Sequence, residues 1–274
     1  MYISVNGLLI EDYKGCISPM SEAYSFGYGV FETIKVIDRK LLFFEEHMNR
    51  MAHACKLLNL KENIEINHLK KYCDELLFAN PIDSTVLKIF CGKDKENTDT
   101  IITTRKNAYQ EENYCNGFKL CFAETKRNPY SPLTYIKASS YLENIYEKQR
   151  GLSLGFDEVL FLNVHDRIAE GSISNVFYVK DSTLYTPDVD CGILPGILRE
   201  KIVDIVQALR IPLKVGKFTK NEILKADEIF ITNSVLEIMP VSQLEERRLI
   251  LTKNSTTQLI MKAYHQYVKK RYEL

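Results

Sequence analysis

The sequence has no net charge: 36 lysines and arginines balance 36 aspartates and glutamates in 274 residues. No global field therefore gathers nucleic acid or an anionic membrane, and any anion selectivity has to be local. Long apolar runs are missing too, and none approaches the roughly 18 residues that span a bilayer. Met1-Tyr2-Ile3-Ser4-Val5-Asn6-Gly7 has no basic stretch leading into an apolar one, so no secretory signal is expected and the chain reads as cytoplasmic. Glycine and proline are few, at 12 and 8, and the composition is that of an ordinary soluble globular chain. Paired-cysteine spacing is absent. The seven cysteines are odd in number and widely spaced, no CxxC occurs, and several sit in apolar periodic segments, which reads as reduced protein. The five histidines, His47, His53, His68, His165 and His265, form no HExxH or other ligand spacing, so no metal is expected.

What is present is an alternation of strand and helix signals. The length allows one large domain or two smaller ones sharing a cleft. Asn6-Gly7 is a tight-turn signal between Tyr2–Val5 and 8–10. Segments 30–37 and 41–44 flank Asp38-Arg39-Lys40 as a second hairpin. From Glu45, Met48, Met51, Ala52, Cys55 and Leu58 recur at helical spacing, and Leu69, Tyr72, Cys73, Leu76 and Leu77 repeat it before Asn80-Pro81. Strands are expected at 86–91, 101–104 and 118–122. The polar, proline-bearing stretch 124–133 reads as a linker between domains 1–123 and 134–274. Beyond it, Ser140-x-x-Glu143 predicts a capped helix ending near Gly151. Strands follow at 158–164 and 175–179, with His165-Asp166-Arg167 as a turn. Pro195-Gly196 opens a helix with Leu198, Ile202, Ile205, Val206 and Leu209 on one face, and Thr219-x-x-Glu222 caps a short one. A strand at 228–232 and an amphipathic helix at 259–272 complete a mixed α/β, two-domain reading.

Four segments carry candidate chemistry, each with an ordinary reading beside it. Lys137 lies between apolar residues just before a helix start, where burial would lower its pKa and make its amine a nucleophile; a lysine with its head in solvent explains it equally. Glu170 is followed by Gly171 and the short polar residues Ser172, Ser174 and Asn175, as in a ligand cradle or an acidic turn. Gly192, Pro195 and Gly196 precede a strong helix whose first N–H groups can bind phosphate, or merely punctuate it. Thr232-Asn233-Ser234 offers donors to the same phosphate, or forms a polar turn. Arg50 reads by default as a solvated helix arginine.

In this order the segments resemble the class IV aminotransferase family, the fold type IV enzymes that bind pyridoxal 5'-phosphate, from Tyr2 to about Val241. The landmarks are Phe26-Gly27-Tyr28-Gly29-Val30-Phe31-Glu32-Thr33, His47-x-x-Arg50, Lys137-x-x-x-Tyr141-Leu142, Glu170-Gly171-Ser172-x-Ser174-Asn175-Val176-Phe177 and Leu194-Pro195-Gly196-Ile197-Leu198-Arg199, with Ile231-Thr232-Asn233-Ser234 weaker. The resemblance implies a small N-terminal α/β domain, a larger C-terminal pseudo-barrel domain and a homodimer. It implies that Lys137 holds the cofactor and that Glu170 pairs with the pyridine nitrogen. Arg50, Gly196 with the amides of Ile197 and Leu198, and Asn233-Ser234 would hold the phosphate. Tyr141 would lie near the phenolic oxygen, and Ser174 and Asn175 beside the cofactor. Leu198 stands where many relatives have threonine, which leaves only its backbone donor.

The same resemblance narrows the reaction to a small amino substrate. D-amino-acid aminotransferases carry a tyrosine where Phe31 stands and an Arg-x-His trap that 90–97 lacks. Branched-chain enzymes are longer, with one more residue between the lysine and the tyrosine. The 26–33 segment looks more like lyases that convert 4-amino-4-deoxychorismate to pyruvate and 4-aminobenzoate for folate. Phe31 and Lys88 are the expected substrate residues. A branched-chain aminotransferase, and after it a D-amino-acid aminotransferase, is the alternative, with a non-catalytic relative behind both.

Overall fold

The computed structural model describes residues 1–61, 66–81 and 85–274. Contacts divide them into two units: Met1–Ala108 with Ile136–Tyr141, and Tyr109–Tyr135 with Leu142–Leu274. Among the described residues no helix is long and apolar enough to cross a membrane, and all seven cysteines are free.

In the first unit Asn6 and Gly7 take φ of 51° and 85°, the left-handed pair that a two-residue hairpin favours. They join β1 (Tyr2–Val5) to β2 (Leu8–Glu11) as expected. Helix α1 (Glu22–Phe26) is closed by Gly27 at positive φ, and β3 (Gly29–Ile37) follows. Asp38-Arg39 turns β3 into β4, which is only Lys40–Leu41. The expected strand 41–44 is cut short. Phe43 takes φ 57° and Phe44 opens α2 (Phe44–Leu57), because its ring joins Met48, Met51 and Cys55 on the buried helical face. Helix α3 (Ile66–Ala79) and the strands β5 (Thr85–Asp94) and β6 (Asn97–Lys106) complete a six-stranded sheet of order β2-β1-β6-β5-β3-β4. Val30, Ile34, Leu87 and Ile89 share a core with Met48, Met51, Leu69 and Leu76 of the two helices. Since β4 reaches only the far end of β3, the Gly29–Phe31 end has an open edge. Residues 136–139 bind there: the Phe31 amide donates to the Lys137 carbonyl at 3.0 Å, and that of Ser139 to Gly29 at 2.8 Å.

The second unit holds α4 (Glu111–Asn116), β7 (Phe118–Arg127), α5 (Leu142–Ser153), β8 (Glu158–Asn163), β9 (Ile168–Gly171), β10 (Asn175–Lys180) and β11 (Thr183–Pro187). After these come α6 (Ile197–Ala208), β12 (Leu213–Gly216), α7 (Lys220–Ile223), β13 (Glu228–Asn233), β14 (Glu237–Leu244), β15 (Arg247–Arg248) and α8 (Ser255–Tyr272). Its sheet runs β12-β11-β10-β13-β14-β7-β8-β9, with β15 on β14. Strands β8, β10 and β13 are buried on both faces, which explains why they read as unbroken apolar runs. The Thr219–Glu222 capping box forms.

Two expectations give way here. The stretch 124–133 lies inside this unit rather than between domains. Its first four residues finish β7, whose exposed positions account for the polar composition, and Thr125 donates to Glu147 of α5 at 2.8 Å. Helix α5 starts at Leu142, and Glu143 accepts from Arg127 at 3.0 Å instead of serving a box with Ser140.

Candidate active site

In the first unit the open edge of β3 orients Lys137. Its backbone is pinned to Phe31, and its amine stands 4.5 Å from the Phe31 ring centre and 5.4 Å from that of Tyr141. The two rings meet edge to face, 5.5 Å apart. Aromatic faces favour a cation while contributing few polar competitors, so a half-buried amine is held beside two rings. Lys88, from β5, lies 4.6 Å from the same Phe31 ring. The structure thus brings together Phe31, Lys88, Lys137 and Tyr141.

Behind Phe31, on the inward register of β3, Glu32 is 1% exposed. Its carboxylate takes a two-pronged bond from Arg50, from Nε and Nη2 at 2.7 Å each, and a third contact from His47 Nδ1 at 2.7 Å. Burial by itself raises the Glu32 pKa, but the Arg50 guanidinium and then His47 outweigh it and bring it to about 2. Burial, against the pull of Glu32, holds His47 below its ordinary range, and Arg50 and Lys137 push the same way. Arg50 is therefore no solvated helix arginine: it is 13% exposed, with one edge fixed by Glu32. Sequence reasoning missed this network although it left a signal. A carboxylate occupies the inward position of a strand whose other inward residues are Val30, Ile34 and Val36.

In the second unit Glu170 sits on β9, a fully buried strand that the sequence reading left unassigned. Its Oε2 accepts from the Leu194 amide at 3.0 Å, and Arg127 Nε lies 3.5 Å from Oε1. Arg127, also unforeseen, lies 3.9 Å above the Phe161 ring. Asn175 donates to the Leu194 carbonyl at 3.0 Å, so Glu170 and Asn175 hold the amide and the carbonyl of one residue ahead of α6. Gly196 caps that helix. A Cβ there would meet Asn175 Oδ1 at 1.8 Å, and we expect Gly196→Ala to cost about 1–3 kcal/mol in a urea melt of the protein. Ile197 and Leu198 bury their side chains, so the first turn of α6 offers only its N–H groups.

The remaining candidates have mostly structural duties. Ser174 Oγ lies 3.4 Å from the buried Glu158, which also binds Ser172. Asn233 accepts from the amides of Val235 and Leu236, both at 2.8 Å, and donates to Ile173. Ser234 is half-buried next to that turn, and Thr232 Oγ1 is a buried hydroxyl with no hydrogen-bond partner.

The family model of class IV amino-transferases matches residues 29–244. Over 97% of its length the chain is 28% identical to an aminodeoxychorismate lyase of Bacillus subtilis strain 168, covering 94% of that protein. It is 26% identical to a D-alanine aminotransferase of Listeria innocua, over 89% of this chain and 88% of the other. Among solved structures, a branched-chain amino acid aminotransferase of Escherichia coli superposes with a TM-score of 0.91 and 25% identity, covering 97% of this chain and 93% of its own.

Proposed function

For a chain that belongs to the class IV amino-transferase family, and so to the pyridoxal-phosphate enzymes, we propose the lyase reaction: 4-amino-4-deoxychorismate is cleaved to pyruvate and 4-aminobenzoate. The observation that carries the chemistry is Lys137, whose amine stands over Phe31 and Tyr141 on the open edge of β3. What favours the lyase is the 28% identity to such an enzyme along nearly the whole chain. Phe31 supports it, since it offers a ring without a hydroxyl.

The residues fit the cofactor. Thr232 leaves a buried hydroxyl without a partner, and the first turn of α6 presents N–H groups suited to phosphate. When bound, pyridoxal phosphate supplies an electron-withdrawing ring for the carbon that bears the substrate's amino group. Lys137 would hold the cofactor by its amine, and that amine would take and return a proton at the substrate carbon. Glu170, steadied by the Leu194 amide and Arg127, supplies the negative charge that keeps a pyridine nitrogen protonated. Within the second unit the α6 N–H groups and Ser234 would hold the phosphate; within the first, Arg50, its angle fixed by Glu32 and His47, is a cation suited to a phosphate.

Glu170→Gln retains an acceptor for Leu194 and loses the charge. Its kcat is expected to fall roughly a hundredfold with the fold unchanged by circular dichroism. A transaminase reading rests on the 26% identity to a D-alanine aminotransferase, and it needs the same residues. One experiment separates the two: incubation with aminodeoxychorismate, and separately with leucine or D-alanine plus 2-oxoglutarate. Pyruvate and 4-aminobenzoate are expected; glutamate without either product sinks the lyase reading.

We further propose a homodimer, supported by the exposed Leu8, Tyr13, Met20, Tyr24 and Phe26 near the N-terminus. Sedimentation at the mass of a single chain would refute it.

A further inference from the structure

Cross-strand partners share a sheet face, and the register of β3, β5 and β6 therefore defines what surrounds Lys137. Phe31 lies across from Phe90, Thr33 from Lys88, Lys88 from Thr103, and Val86 from Arg105. This is the face opposite the α2 and α3 core. Three bases, Lys35, Lys88 and Arg105, stand on the three adjacent strands here. The acids of the same face, Asp94 and Asp99, lie toward the Lys95 turn, and Asp99 accepts from Asn6. Among the described residues no carboxylate pairs with Lys88; its amine rests on the Phe31 ring.

The amines of Lys88 and Lys137 lie within 4.6 Å and 4.5 Å of one ring centre. They are therefore at most about twice that distance apart, a span that one six-membered ring carrying a carboxylate can bridge above Phe31. We propose that Lys88 binds a carboxylate on the side of the substrate ring opposite its amino group, with Arg105 strengthening the field. The site thereby selects anionic ring substrates. This rests on the lyase reading, whose substrate carries such a carboxylate across the ring from its nitrogen. Burial of its stem and the nearby Arg105 already hold the Lys88 pKa down, and an arriving anion relieves that repulsion.

The test measures binding to the holoenzyme by calorimetry, using 4-aminobenzoate and its neutral methyl ester as probes. The proteins are the wild type, Lys88→Met, which keeps the apolar stem, and Lys88→Arg, which keeps the charge. Lys88→Met is expected to weaken 4-aminobenzoate roughly tenfold or more, the worth of one charged hydrogen bond. Lys88→Arg should restore most of that affinity, and the ester should bind all three proteins alike. With aminodeoxychorismate, the loss should fall on KM and not on kcat. Lys88→Met binding 4-aminobenzoate as tightly as the wild type overturns the proposal, as does an equal loss for acid and ester, which would make Lys88 a packing residue. The two readings fail separately. Lys88-dependent binding in an enzyme that forms no 4-aminobenzoate removes the lyase and keeps the subsite. Turnover with Lys88-independent binding does the reverse.

Discussion

Lys137→Ala is expected to lower turnover by roughly ten-thousandfold, about 5.5 kcal/mol of barrier, while the chain stays folded. The size follows from two roles lost together, covalent attachment of the cofactor and proton transfer at the substrate carbon. The fold should survive because the pairing at this position is made by the Lys137 carbonyl with the Phe31 amide, and by Ser139 with Gly29. The Phe31–Tyr141 contact does not involve the amine. Borohydride reduction of the wild type should fix the cofactor to Lys137, identified by peptide mapping, and the variant should take up no label. A wild-type protein with no visible cofactor band and no label on Lys137 would remove the assignment.

The second large effect is on stability. Glu32→Gln keeps the shape of the side chain and withdraws the charge that Arg50 and His47 share. Removing one partner of a buried ion pair leaves the other uncompensated. The fall of the Glu32 pKa from 4.5 to about 2 corresponds to roughly 3 kcal/mol. That loss should lower the Tm by roughly 6–12 °C near neutral pH. The pH dependence has a definite sign. The folded carboxyl is depressed, so its contribution is complete above about 4.5 and disappears as pH falls through about 2. His47 is also depressed when folded, and its contribution starts to fade earlier, below its ordinary value near 6.5. Thermal melts from pH 7 to pH 3 should therefore show the wild type losing its advantage over the variant toward the acid end. Equal melting temperatures at pH 7 would contradict the network's role.

Much of the scaffold was legible in local chemistry. Asn6-Gly7 announced its hairpin because few residue pairs tolerate two left-handed positions. The apolar spacing of Met48, Met51 and Cys55 announced α2, and Thr219 with Glu222 announced α7. The errors arose where a residue's neighbours are distant in sequence. Phe44 reads as strand by composition, yet the core it enters is helical. Glu170 reads locally as a ligand carboxylate or a turn acid, and the strand that holds it, where its carboxylate accepts from Leu194 24 residues on, left no local signal. Glu124 and Lys126 read as linker because the exposed face of a strand and a loop have the same composition, and Arg127 because its buried partners are distant in sequence.

Among the site residues, the ordered landmarks singled out Lys137, Glu170, Arg50 and the Pro195-Gly196 helix start without coordinates. Each is a chemical type placed at a fixed distance along the chain. The sequence by itself determined the family and the lysine, since landmark order and hydrophobic period are properties of the chain. Only the tertiary structure decided what Lys137 stands beside. The pairing of residues 136–139 with β3 puts its amine on Phe31, and strand register brings Lys88 to the same ring from more than fifty residues away. Side-chain neighbours on a sheet face come from hydrogen-bond register between separate strands, which no local pattern in the chain encodes.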